Sequence, residues 1–135
     1  MKELTLTASL ENIPEATAFI DAQLEALDCP MKAQMQIDVA IDELFANIAQ
    51  YAYAPDVGEA RIRFEFDDSS RMASITFIDR GVPFDPLQKS DPDVTLSAEE
   101  REAGGLGIFL VKKTMDGMEY RRENGCNILT IRKRI

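Results

Sequence analysis

Four runs of alternating apolar and polar residues, joined in pairs by tight turns, constrain this chain more than any other feature. The first pair is ARIRFEFD (60–67) and RMASITFID (71–79), with DDSS (67–70) between them. The second is MEYRRE (118–123) and CNILTIRK (126–133), separated by Asn124-Gly125. Alternation with a period of two reads as strand, and Asn-Gly between such runs is a strong hairpin signal. Strands joined by turns this short must run antiparallel. ELTLTA (3–8) alternates in the same way and predicts a further strand at the N-terminus.

The remaining periodic segments are helical. Asn12 reads as an N-cap, with Glu15 three positions on and Pro14 in the first turn. That helix carries Phe19, Ile20, Leu24 and Leu27 inward and stops near Pro30. A second helix runs from about Met31 to Tyr53, before Pro55, and LGIFLVKKTMD (106–116) predicts a third. The order is β-α-α-β-β-loop-α-β-β. It predicts an α+β fold, a two-layer sandwich with a mainly antiparallel sheet and helices on one face. A chain of 135 residues is one domain, 1–135, long enough for a sizeable core.

Composition removes several chemistries. With no histidine, Ser-His and Cys-His catalysis and a His-ligated zinc are excluded. Cys29 and Cys126 carry no partner motif and read as reduced thiols. No apolar run approaches the roughly 20 residues that span a bilayer, and the N-terminus lacks a signal-peptide core. The expectation is a cytoplasmic protein without membrane association. The net charge of -9 lies wholly in residues 1–67, with 4 Lys/Arg against 13 Asp/Glu, while residues 68–135 carry 11 of each. Such a half repels phosphate backbones, so nucleic acid is not an expected partner. It reads first as a solvated acidic surface, and would also suit a basic protein.

Three motifs remain. Glu43 and Asn47 sit one turn apart, about 40° from each other on the helical wheel, and flank the apolar arc of Ile37, Ile41, Leu44, Phe45 and Ile48. A partly desolvated carboxylate there needs a partner, such as magnesium, which favours oxygen ligands. On spacing alone, an ordinary i,i+4 hydrogen-bonded pair explains it as well. IDRGVPFDP (78–86) puts Asp79 at a strand end, either to accept from an exocyclic amine or as part of a polar turn, with Gly81 allowing close backbone approach. GGLGIFLV (104–111) runs glycines into a helix start, where free N–H groups and the dipole favour an anion. The long loop before it, with no Gly-Lys-Ser/Thr after it, fits neither a P-loop nor a dinucleotide fingerprint.

In combination these motifs resemble the GHKL (Bergerat-fold) ATP-binding domain. DELFANIAQYAY and GGLGIFLVKKTMD are similar to the N box and second glycine box of its anti-sigma regulatory factor and serine-protein kinase branch. The resemblance implies ATP and Mg2+ as cofactors. It implies that Asn47 ligates the metal, that Glu43 is the general base, and that Asp79, with Gly81 beside it, reads the adenine amine. Residues 86–103 match an ATP lid, with Arg101 its closest cation to the γ-phosphate, and Gly105, Leu106 and Gly107 match the phosphate-contacting box. The implied activity is serine/threonine phosphorylation of a STAS-type anti-anti-sigma partner. The alternative is a non-catalytic, ATP-modulated module that sequesters a sigma factor or other regulator. A homodimer is also implied. Two departures bear on activity. Gly125-Cys126-Asn127 stands where a Gly-Thr pair is common, with Thr130 nearby but displaced, and residues 85–103 hold six acidic residues against Lys89 and Arg101.

Overall fold

A computed structural model describes residues 1–88 and 105–135, with side chains described to residue 87 and from residue 107. In chain order it contains β1 (Lys2–Thr7), α1 (Ile13–Ala26), α2 (Met31–Asn47), β2 (Glu59–Asp67), β3 (Met72–Asp79), α3 (Gly105–Thr114), β4 (Gly117–Glu123) and β5 (Cys126–Arg134). The strands make one sheet in the order β1-β2-β3-β5-β4, every neighbour antiparallel. This is the expected two-layer α+β sandwich. The hairpin turns follow from their residues: Asn124 (φ 52°) and Gly125 (φ 76°) both take the left-handed conformation that a two-residue turn needs.

Alternation places one side of each strand inward. Ala60, Ile62 and Phe64, Ala73, Ile75 and Phe77, and Leu129 and Ile131 are buried beneath the helices. Ile20 and Leu24 of α1, Ile37, Ile41 and Phe45 of α2 and Val111 of α3 meet them. Burying each such large side chain contributes about 1.5–3 kcal/mol before chain entropy is subtracted. The opposite sheet face carries Arg63, Glu65, Ser74, Thr76, Glu119 and Arg132, stitched by Arg63–Glu3 (2.5 Å) and Arg132–Glu119 (2.7 Å).

Two local expectations need correction. Asn12 does occupy the N-cap position of α1, but its side chain makes no capping bond. A short 3-10 turn, Leu10–Asn12, precedes the helix, and the Asn12 amide instead donates to the Thr7 carbonyl at 2.8 Å, closing the exit from β1. The second helix does not stay regular to Tyr53. It is α-helical to Asn47 and then widens into a π-turn over Ile48–Ala52. Such widened turns recur at functional sites, and this one begins directly after Asn47.

Between α1 and α2, Asp21 and Asp38 each bury one carboxyl oxygen without another partner. Two carboxyl groups in contact can hydrogen-bond only if one is protonated. Burial first, then the bond to Asp21 and the charges of Asp21 and Glu25, push Asp38 up to about 7. The folded chain therefore holds a proton that the unfolded chain releases near the ordinary carboxylate value of about 4. Stability falls as pH rises across that window and is lowest above it. Thermal melts of Asp38→Asn should show a gain in Tm over the parent protein that is small near pH 4.5 and widens to pH 8. A constant difference across that range would count against the shared proton.

Candidate functional site

The polar elements of the site gather at the end of the sheet where β3 stops. Asp79 closes that strand, in register with Ala60 on one side and Asn127 on the other, and is only 5% exposed. Burying a carboxylate requires compensating donors. Its Oδ1 accepts from the Gly81 N–H at 2.8 Å and from Asn127 Nδ2 at 2.9 Å. Among the described residues its other oxygen accepts no hydrogen bond.

The chain leaving β3 is held down at three points. The Val82 N–H donates to the Ala52 carbonyl (2.8 Å), at the end of the π-turn. Arg122 Nη1 donates to the Gly81 carbonyl (2.7 Å), and Asn127 Nδ2 to that of Val82 (2.8 Å). Gly81 packs so closely on the Ala52 backbone that a Cβ would overlap its carbonyl. This strap forms one lip of an open cleft with about 410 Å³ of free space, its mouth included. Leu44, Ile48, Phe77 and Leu129 form an apolar wall, and Asn47, Asp79 and Asn127 supply polar groups.

Glu43 stands beside the cleft and does not line it. Its carboxylate lies against Gly107, in the first turn of α3, in the space a Cβ would occupy. Burial, then the neighbouring Asp42, push the Glu43 carboxyl above its ordinary value. Glu43 and Asn47 make no hydrogen bond to each other, so the simple i,i+4 pair is not what holds them. Among the described residues the Asn47 amide has no side-chain hydrogen bond, which leaves its oxygen free to ligate. A half-buried neutral oxygen next to a carboxylate suits magnesium, which takes one or two protein ligands and completes its shell with phosphate and water.

Of the sequence-derived residues, the fold thus brings Asn47, Asp79 and Gly81 to one cleft and sets Glu43 against α3. Gly105, Leu106 and Gly107 open α3. Arg101 and the expected lid, beyond its opening turn Pro86–Gln88, lie outside the described residues. Thr130 is no substitute for the missing hydroxyl. It points to the opposite sheet face, where its Oγ1 pairs with that of Thr76 at 3.0 Å. Asn127 and Tyr120 are cleft residues that the motifs alone do not reveal. Counting register from Asp79 across the two hairpins would have found Asn127, since residue parity along β5 sends 127, 129 and 131 to one face.

The class so defined is a two-layer α+β domain with a cleft lined by a buried carboxylate and, beside it, a glutamate packed on a glycine-opened helix. Residues 6–133 match the family described as histidine kinase-like ATPase domain. The chain belongs to that family. Among relatives, the serine/threonine-protein kinase BtrW of Bordetella bronchiseptica is 28% identical over 74% of this chain and 70% of its own length. The serine-protein kinase RsbW of Bacillus cereus is 34% identical over 67% of this chain, a match that spans 58% of the relative. The RsbU and RsbW domains of Rv1364c from Mycobacterium tuberculosis share the fold, with a TM-score of 0.65 at 15% identity over 99% of this chain and 32% of that one. No helix among the described residues is long and apolar enough to cross a membrane.

Gly81 and Gly107, both close-packed, predict opposite behaviour. Gly81→Ala drives a methyl into a backbone carbonyl that cannot yield, and should lower stability by about 1–3 kcal/mol. Gly107→Ala meets the end of a movable side chain and gains helix propensity. It should leave the denaturation midpoint within about 1 kcal/mol of the parent and displace Glu43. Urea denaturation of both variants checks the contrast, and equal losses would refute it.

Proposed function

We propose that this domain binds Mg-ATP in the cleft and transfers the γ-phosphoryl group to a serine or threonine of a STAS-type anti-anti-sigma protein. The observation that carries the reading is that Asn47 and Asp79 line one cleft, with Glu43, one helical turn from Asn47, packed against Gly107 beside it. The names of the relatives, which are serine or serine/threonine-protein kinases, support it.

In this mechanism Asp79 accepts a hydrogen bond from the adenine amine, and the apolar wall holds the base. The α3 N-terminus, from Gly105 through Leu106 to Gly107, presents backbone N–H groups to the phosphates. Asn47 supplies an oxygen to magnesium, which when bound neutralises phosphate charge. Glu43 orients the acceptor hydroxyl. As the hydroxyl oxygen bonds to the γ-phosphorus, the bond from that phosphorus to the β,γ-bridging oxygen breaks, ADP departs, and the hydroxyl proton passes to the Glu43 carboxylate. The raised proton affinity of Glu43 suits a base. Because the base must be ionised, activity should be lost as pH falls through its raised value. Most of the acceleration comes from positioning and charge stabilisation, as phosphoryl transfer requires. Of the two cations in 85–103, Arg101 is the one assigned to the γ-phosphate.

The acidic 85–103 segment favours a second reading, a module that sequesters a sigma factor and uses ATP to set its conformation. Transfer of label from γ-labelled ATP to a STAS domain separates the two. Glu43→Gln should lower transfer by about 10²-fold or more and leave ATP affinity within a few-fold. ATP binding without transfer by the parent protein supports sequestration. Calorimetry on Asn47→Ala should show magnesium-dependent ATP affinity falling at least tenfold, and an unchanged affinity would remove the metal role. The homodimer implied by resemblance has a surface to form on in the uncovered sheet face, with its interleaved Arg63, Glu65, Glu119 and Arg132. If it forms there, Ser74→Arg should yield a monomer by sedimentation.

A further inference from the structure

Asn127 uses its whole hydrogen-bonding capacity inside the cleft wall. An amide has two N–H donors and an oxygen with two lone pairs. Here Nδ2 donates to Asp79 Oδ1 (2.9 Å) and to the Val82 carbonyl (2.8 Å). Oδ1 accepts from the Phe84 N–H (3.3 Å) and from the Tyr120 hydroxyl. The residue is 5% exposed. The amide cannot be turned over, because the flip would set its oxygen against a carbonyl and a carboxylate and its NH2 against a backbone N–H.

This fixed amide determines how Asp79 presents itself. With the Gly81 N–H, Asn127 saturates Oδ1, which leaves Oδ2 as the oxygen free to meet a ligand. An ionised carboxylate oxygen only accepts. It therefore attracts an exocyclic amine and repels a carbonyl at the same place on a purine. The same side chain also ties Val82 and Phe84, so it sets the lip of the cleft and the carboxylate together. A threonine could offer one donor to Asp79 but no second N–H for the Val82 carbonyl. Asn127 is thus more than the absence of a hydroxyl.

We propose that Asn127 is the positioning residue that makes this cleft selective for the amine of adenine, acting through Asp79. The proposal rests on the nucleotide reading above. Its test compares the affinities of ATP, purine riboside triphosphate, which lacks the amine, and GTP, each with magnesium, by calorimetry. The parent protein should prefer ATP to the amine-free analogue by about tenfold or more, the discrimination expected of one hydrogen bond to a charged group. In Asn127→Leu that preference should collapse to within about threefold, chiefly through weaker ATP binding. A merely structural role would weaken both nucleotides alike and leave the ratio unchanged, which would overturn the proposal. Should Asn127→Leu melt below the assay temperature, Tyr120→Phe is the milder probe. It removes one of the two donors on Oδ1 and should lower the ratio several-fold. An unchanged ratio there, with the protein folded, overturns the proposal as well. If the parent protein binds none of the three nucleotides, the reading of the cleft fails and the assignment with it. If the parent discriminates and the variants discriminate equally, the assignment alone fails.

Discussion

The pairing of β3 with β5 is the constraint on which the rest of the cleft depends. It sets Asp79 and Asn127 opposite one another in an antiparallel register, 48 positions apart in the chain. A one-residue slip would turn every side chain of β5 to the other face. Leu129 and Ile131 would leave the core, and Asp79 would lose the donor that makes its burial tolerable. The apolar pattern that fills the core therefore also fixes the polar contact at its edge. Stability and the site are specified by one register.

The helix α2 carries the same double duty in another geometry. Its inner arc buries Ile37, Ile41, Leu44 and Phe45, which fixes the rotation of the helix about its axis. Once that rotation is fixed, Glu43 and Asn47 have no choice of direction, since both lie at the border of the arc. The π-turn that follows then shifts the phase of the chain, and Ala52 receives the Val82 N–H and the close contact of Gly81. The strap between β3 and the cleft is thus anchored to the π-turn that follows α2 and to the β4–β5 hairpin, elements from opposite halves of the sequence.

The sheet, its hairpins and the three helices were legible because each rests on local periodicity or turn chemistry: the two alternating pairs, Asn124-Gly125, and Pro30 and Pro55 as boundaries. Glu43, Asn47 and Asp79 were legible as motifs, and the fold brings Asn47 and Asp79 to one cleft. What escaped was non-local or locally ambiguous. The Asn12 amide had a backbone carbonyl within reach in Thr7, and it took that acceptor in place of the helix N–H groups. The widened turn after Asn47 leaves no mark in a helical pattern. Asn127 was visible only as part of a departure from the Gly-Thr pattern, and its bond to Asp79 comes from a neighbour in another hairpin. Thr130, displaced in the sequence from the Gly-Thr position, also faces the other side of β5, because it lies an odd number of positions from Asn127.

Parity also bears on how Asn127 and the Glu43–Gly107 contact are related. Asn127 faces the cleft, beside Asp79, and its bonds run to the cleft lip. Glu43 is reached from the other side, across Gly107, and touches none of that network. In the proposed nucleotide reading, Asn127 therefore acts on recognition of the base, and the Glu43–Gly107 contact acts at the phosphates. The two are more nearly independent than a single failing hydroxyl would suggest, because contributions from sites without shared partners tend to add. An asparagine in that place gives no ground on its own for treating the domain as a kinase that has lost its reaction.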